Sequence, residues 1–243
     1  PGIGGAADLT MENKRVPSSL DPHYFNATEN ENASGPIFET LMSIDADGNM
    51  VPTLVTEWTN TDELTWVLTL RPGVTFQDGS PLTVDDIRFS VERVKSITGT
   101  PGGFAAYVSS ITEVVDNGDG TITMKTDTPT PLLPYNMTRL WVVKKDLVGD
   151  KDAAAFDDPA VAIGTGPYQI TSYKPGTGAE YEGYDGYWGG EPDWDHVTVN
   201  YISNDAARMA ALLAGDVDLA DNVPTSDIKT LSAREGIEVG ERP

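Results

Sequence analysis

The chain has no cysteine at all. That excludes disulfides, thiolate metal centres and a cysteine nucleophile, and it leaves the redox compartment open. Histidine is almost as scarce: only His23 and His196 occur, far apart in sequence and each alone. Positive charge is also in short supply, with 16 Lys and Arg against 38 Asp and Glu, a formal net charge of −22. Nucleic-acid binding depends on cationic groups displacing counterions from phosphates, so this balance argues against it. It argues equally against an anionic membrane surface. No apolar run approaches the roughly 18 residues needed to cross a bilayer. The sequence starts at Pro1 with no signal peptide in view and no lipobox cysteine, which reads as a processed or cut species.

What is present suits a globular protein. The 243 residues are 39% apolar and 22% charged, enough for one large or two modest domains. Acidic residues are spread along the chain, which is the pattern of a solubilising surface. No internal repeat or low-complexity tract stands out.

Periodicity and turn chemistry divide the chain into short α and β pieces. Leu64, Trp66, Leu68 and Leu70 alternate with polar residues, the pattern of a half-buried strand. Thr83 followed by Asp86 is an acidic capping box, and Val84, Ile87, Val91 and Val94 repeat at helical spacing behind it. Asp45–Asn49 resembles a calcium loop but has Met50 in place of the required glycine and Thr56 in place of the closing glutamate, so a turn between two short strands is expected. Asp116–Gly120 is expected to turn a hairpin between residues 111–115 and 121–125. A helix is expected from Ser34 or Gly35, with Pro36 in its first turn and Ile37, Leu41 and Ile44 on one face. Asn204 should cap a helix running to Ala214 with Met209, Leu212 and Leu213 inward, and Gly215 should stop it.

The stretch from Ile163 to Gly190 is the most distinctive. Gly164-Thr165-Gly166-Pro167-Tyr168 is a tight-turn sequence in which the two glycines can take positive φ. A strand follows, and then Tyr173, Tyr181, Tyr184, Tyr187 and Trp188 stand among glycines. Aromatics in that setting serve as a structural plug or a contact surface, and the plug is the simpler reading.

Several collinear motifs resemble the family 5 periplasmic solute-binding proteins of ABC transporters, the oligopeptide, dipeptide, nickel and opine group. They are Leu20-Asp21-Pro22, Phe38-Glu39-Thr40-Leu41, Asp47-Gly48 with Pro52-Thr53-Leu54, and the run from Trp66 through Leu70-Arg71-Pro72-Gly73-Val74-Thr75-Phe76-Gln77-Asp78-Gly79 to Asp86. Gly164–Tyr168, Tyr187-Trp188-Gly189-Gly190 and Gly215–Leu219 complete the set. The resemblance implies an α/β, periplasmic-binding-protein-like fold of two lobes that enclose a ligand. Lobe I would take residues 1–50 and 165–243, with a smaller subdomain, 51–164, inserted into it. Lobe II and the closing strands of lobe I would lie beyond Pro243, on the same molecule or on a separate chain.

The same resemblance implies a monomeric, periplasmic receptor with no cofactor, no bound metal and no catalysis. It would pass a small solute, a peptide or peptide-like molecule above all, to the membrane subunits of an ABC permease. It places Phe25, Asn26, Thr28, Glu29 and Asn30 on the cleft wall, Phe104 and Tyr107 near a cleft aromatic position, and Arg139 near an arginine that meets ligand carboxylate. Phe25 keeps the aromatic of the nickel-complex binders, whereas Asn30 replaces their methionine. Taken without the resemblance, Phe25, Phe104 and Tyr107 also suit a core, and Arg139 a surface ion pair. A rival from another class is a hydrolase using paired carboxylates (Asp85 with Asp86, Asp157 with Asp158, Asp216 with Asp218), each pair having a structural explanation as well.

Overall fold

The computed structural model describes residues 7–240. Strand β1 (Asp8–Asn13) is followed by helix α1 (Thr28–Ser34), the hairpin β2 (Met42–Ile44) and β3 (Met50–Pro52), and the longer hairpin β4 (Val55–Asp62) and β5 (Thr65–Leu70). Helix α2 (Val84–Ser96), the single turn α3 (Ala105–Val108), the hairpin β6 (Ile111–Asp116) and β7 (Thr121–Thr126), and the short helices α4 (Leu133–Asn136) and α5 (Lys145–Val148) come next. The chain then forms β8 (Tyr168–Lys174), β9 (Gly178–Gly183), β10 (His196–Tyr201), α6 (Asp205–Ala214), β11 (Leu219–Ala220) and α7 (Thr225–Ser232).

Two sheets carry two cores. The first sheet has the order β11-β1-β10-β9-β8, with β1 parallel to both its neighbours and the remaining pairs antiparallel. Its core gathers Leu20, Ile37, Phe38, Val143, Phe156, Ile170, Tyr181 and Val199. The second sheet, β4-β5-β7-β6, is antiparallel throughout. Trp66 and Leu68 of β5, Ile122 and Met124 of β7 and the Ile87–Val91–Val94 stripe of α2 fill its core. The Thr83–Asp86 capping box forms as expected, and both hairpin turns fall where their Asp/Asn/Gly runs place them. Leu64 lies just outside β5 and is exposed.

The expected helix after Ser34 is not there. The helix precedes that point and ends at Gly35, before Pro36. Residues 37–41 instead run through the middle of the protein as irregular chain, every one of them buried, and lead into β2. The reason is visible in composition: Thr28–Ser34 buries only Ala33 among its apolar residues, so it has no stripe to detect, whereas Ile37-Phe38 and Leu41-Met42 are buried on all sides. Helix α6 is capped by Asn204 and stopped by Gly215 at φ 77°; Met209 faces inward, but Leu213 is 43% exposed.

The edge strand β6 is blocked by the helix beside it. Arg88 Nε donates to the Val114 carbonyl at 3.0 Å, and the Lys95 ammonium donates to the Ile111 carbonyl. Long cations laid along an edge occupy acceptors that another strand would otherwise use. Replacing both by Met keeps the aliphatic packing and uncovers these carbonyls. The double variant is expected to self-associate at concentrations where the parent does not, as read by analytical ultracentrifugation.

A buried charge cluster joins the chain near β1 to helix α2. Asp21 accepts from Arg93 Nη1 at 2.8 Å and Nη2 at 2.6 Å, and both side chains are at most 5% exposed. His23 sits against this pair: its Nε2 lies 2.8 Å from the Trp141 carbonyl and its Nδ1 3.0 Å from Arg93 Nη1. A carbonyl cannot donate and a guanidinium cannot accept, so the imidazole is neutral with its proton on Nε2. Burial is the main cause that lowers His23 to about 4, opposed by Asp21 and reinforced by Arg93.

The sign of the consequence follows by linkage. The unfolded chain, with an ordinary histidine near 6.5, binds a proton that the folded chain refuses, so stability falls as pH drops through the window from 6.5 to about 4. Between about pH 7 and pH 5 the loss from this group is ~2 kcal/mol. Urea denaturation at the two pH values checks it: His23→Gln should flatten that part of the pH dependence.

Candidate functional site

The family-like motifs fold onto one another. Gln77 is their hub. Its side-chain amide donates to the carbonyls of Ile37 (3.2 Å), Gly166 (3.1 Å) and Tyr168 (2.7 Å), and its oxygen accepts from Gly164 N at 3.0 Å. Gly164 and Gly166 are not at positive φ; they are glycine because the chain of Pro36 and Ile37 lies against them. A Cβ on Gly164 would stand 2.0 Å from the Ile37 carbonyl oxygen, and one on Gly166 2.5 Å from that of Pro36. The expected positive φ is therefore replaced by a requirement for close backbone approach.

Glu39 is the second junction. Its carboxylate is buried and accepts from Thr165 Oγ1 at 2.9 Å, Tyr187 OH at 3.0 Å and Trp188 Nε1 at 2.8 Å. Burial raises its pKa, and these three donors with the Arg71 charge pull it back. The Arg71 guanidinium in turn stacks 3.9 Å over Trp188. Tyr187 and Trp188 thus close a joint between the two sheets, which favours the plug over the contact surface.

The eight expected contact residues divide into outward-facing and internally committed groups. Phe25 forms an isolated bridge with Gly102, Asn26 N donates to the Gly102 carbonyl at 2.8 Å, and the Asn26 amide lies 3.3 Å from Tyr107 OH. Phe25, Asn26 and Tyr107 are half-buried, and Thr28 is exposed one turn on. Phe104, by contrast, is 1% exposed and lies in the second core beneath Tyr107, ring centroids 6.4 Å apart. Asn30 is buried and its amide is fully engaged with Ser18 and the Ser19 carbonyl. Glu29 lies 3.6 Å from Arg15. Arg139 Nη1 donates to both oxygens of Glu31, at 2.8 and 2.9 Å.

The outward members are linked through neighbouring elements. Tyr107 on α3 packs next to α4, which leads directly into Arg139, and Glu31 ties Arg139 back to α1 and so to the Phe25–Asn26 turn. On α4 and just before it, Tyr135 and Leu132 are 46% and 66% exposed. The sequence reading missed Glu31, Gly102, Leu132 and Tyr135. Two exposed large apolar residues beside a cluster of prolines were the available signal for the last two.

The carboxylate pairs of the rival reading are mostly employed elsewhere. Asp86 caps α2 and accepts from Lys145 N, Asp85 is paired with Arg88 and Lys145, Asp158 accepts from Ala160 N, and Asp218 accepts from Thr10 N. Among the described residues no group of three or more His, Asp or Glu is placed to hold a metal ion. A half-open hollow of about 650 Å³ lies between residues 18–24, the end of α2 and residues 149–157, and none of the eight expected contact residues lines it. No helix is long and apolar enough to cross a membrane among the described residues.

Comparison with known proteins identifies the family. The profile of bacterial extracellular solute-binding proteins, family 5 middle, matches residues 49–243. The chain is 27% identical to the probable D,D-dipeptide-binding periplasmic protein DdpA of Escherichia coli, over 99% of this chain and 46% of that protein. It is 25% identical to the nickel-binding protein NikA of Staphylococcus aureus, over 83% of this chain and 39% of that protein. The structure superposes on that of a nickel ABC transporter from Bacillus halodurans with a TM-score of 0.79 and 27% identity, covering 95% of this chain and 46% of the other. It also superposes on the open form of the periplasmic murein tripeptide-binding protein MppA, with a TM-score of 0.83 at 23% identity, a likeness of fold. The chain spans about half the length of the relatives it matches. It belongs to the family 5 bacterial extracellular solute-binding proteins.

Proposed function

We propose that this chain forms one lobe of a periplasmic receptor that captures a small solute, most simply a peptide or peptide-like molecule, and delivers it to an ABC permease. The five-stranded sheet would be the body of that lobe, residues 51–164 an insertion into it, and the face carrying Phe25, Asn26, Thr28, Tyr107 and Arg139 its cleft wall. One observation supports the wall above the others: contacts spanning 77 to 108 residues of sequence tie an aromatic turn to Gly102 and Tyr107, and α1 to Arg139, without using up their polar edges. Membership in a family of solute-binding proteins supports the activity, and relatives that bind dipeptide support the solute class.

The mechanism follows from differential affinity. A solute resting on one wall gains contacts only when a second wall meets it, so binding raises the population of the closed form. Extended backbone would supply much of the affinity for a peptide, through its regular donors and acceptors. Calorimetry against defined di- and tripeptide pools tests the reading. Saturable binding that falls in Tyr107→Ala is expected; silence toward every pool would contradict it.

A further inference from the structure

The ion pair on the proposed wall is asymmetric. Both oxygens of Glu31 take hydrogen bonds from the same nitrogen, Nη1 of Arg139. Nη2 and Nε have no protein acceptor among the described residues, while the side chain keeps 32% of its surface. Those two nitrogens form one edge of the guanidinium, with the parallel N–H pair that grips a carboxylate in two-point fashion. The neighbouring charges are balanced as well: Glu29 is matched by Arg15 as Glu31 is by Arg139.

We propose that Glu31 is a specificity-determining residue of the wall, a role that rests on this face being the one the solute meets. It holds Arg139 by one amino group, leaves the Nε/Nη2 edge for the solute, and cancels the charge behind it. One solute carboxylate finds two aligned donors there. A second carboxylate finds no uncompensated positive charge, and with 38 acidic against 16 basic residues in the chain it meets a negative surround. The pair is half-buried, so salt screens it less than a fully exposed one. Solutes with one carboxylate are thereby favoured over those with two.

Three probes test this by NMR titration of the full chain: tri-alanine, its C-terminal amide, and Ala-Ala-Glu. The Arg139 Nε–H signal and the backbone signals of the wall give the readout. In the parent, tri-alanine should bind more tightly than Ala-Ala-Glu. Glu31→Gln, which keeps the shape and one acceptor, should bind tri-alanine roughly fivefold more tightly and Ala-Ala-Glu by a larger factor, with the amide unchanged. Arg139→Gln should bring the free acid down to the affinity of the amide. A gain in Glu31→Gln that is equal for acid and amide overturns the inference, since Glu31 would then act through shape. No change in Glu31→Gln, with a loss in Arg139→Gln, overturns it too and leaves the wall standing. Absence of any wall shift with all three probes overturns the wall itself and the inference with it.

Discussion

Arg93→Ala is expected to cost this protein about 3–5 kcal/mol of stability, the cost of leaving one member of a buried ion pair without its partner. Asp21, 2% exposed, would lose both its short bonds to the guanidinium and keep one from the His23 backbone N–H. The effect spreads further than one pair. Arg93 also sits 5.0 Å from the Phe156 ring and donates to His23 Nδ1, so its loss loosens the join between α2 and the first core. Chemical denaturation of the variant should show a lower midpoint. Asp21→Asn with Arg93→Met, which removes both charges, should recover much of the loss. A midpoint within experimental error of the parent would mean that the cluster is idle.

Gly164→Ala is the second large effect, ~3 kcal/mol or more, at the top of the range for forced overpacking. The added methyl would overlap the Ile37 carbonyl oxygen at 2.0 Å and touch the Phe38 ring at 2.8 Å. Neither neighbour can yield cheaply. Ile37 and Phe38 are both fully buried, and the Ile37 carbonyl already accepts from Gly166 N and Gln77. Gly176→Ala is the contrast. That glycine has φ +76° with open space around its Cβ position, so its cost is backbone strain alone, about 1–2 kcal/mol. Thermal melts of the two variants should separate the mechanisms by size. Equal shifts would argue that Gly164, too, is needed only for its conformation.

These cases show what the sequence could and could not disclose. Local devices were legible: the Thr83–Asp86 box, the two Asp/Asn/Gly hairpin turns, the Asn204 cap and the Gly215 stop each act over a few residues, and each is where its chemistry puts it. Contacts across the chain were not. Nothing in the run Phe76-Gln77-Asp78 says that Gln77 will clasp Gly164 and Ile37, or that Glu39 will be held by Thr165, Tyr187 and Trp188. The displaced helix has a related cause. Periodicity detects an apolar stripe, and α1 lacks one, while the buried irregular chain after Pro36 imitates one.

The wall shows the same division. Resemblance pointed to Phe25, Asn26, Tyr107 and Arg139 one by one, but the bridge from Phe25 to Gly102 and the Glu31–Arg139 pair span 77 and 108 residues. Residue type alone could not separate the half-exposed Tyr107 from the buried Phe104 three positions away. It also could not tell that Asn30 spends its amide on Ser18 and Ser19.

The measurement that bears most directly on a solute-binding wall is a map of backbone NMR shifts on adding a defined dipeptide pool. Shifts concentrated at Phe25, Asn26, Gly102, Tyr107 and Arg139 are predicted. Shifts confined to the hollow around Asp150 and Asp157, with that face silent, would contradict it.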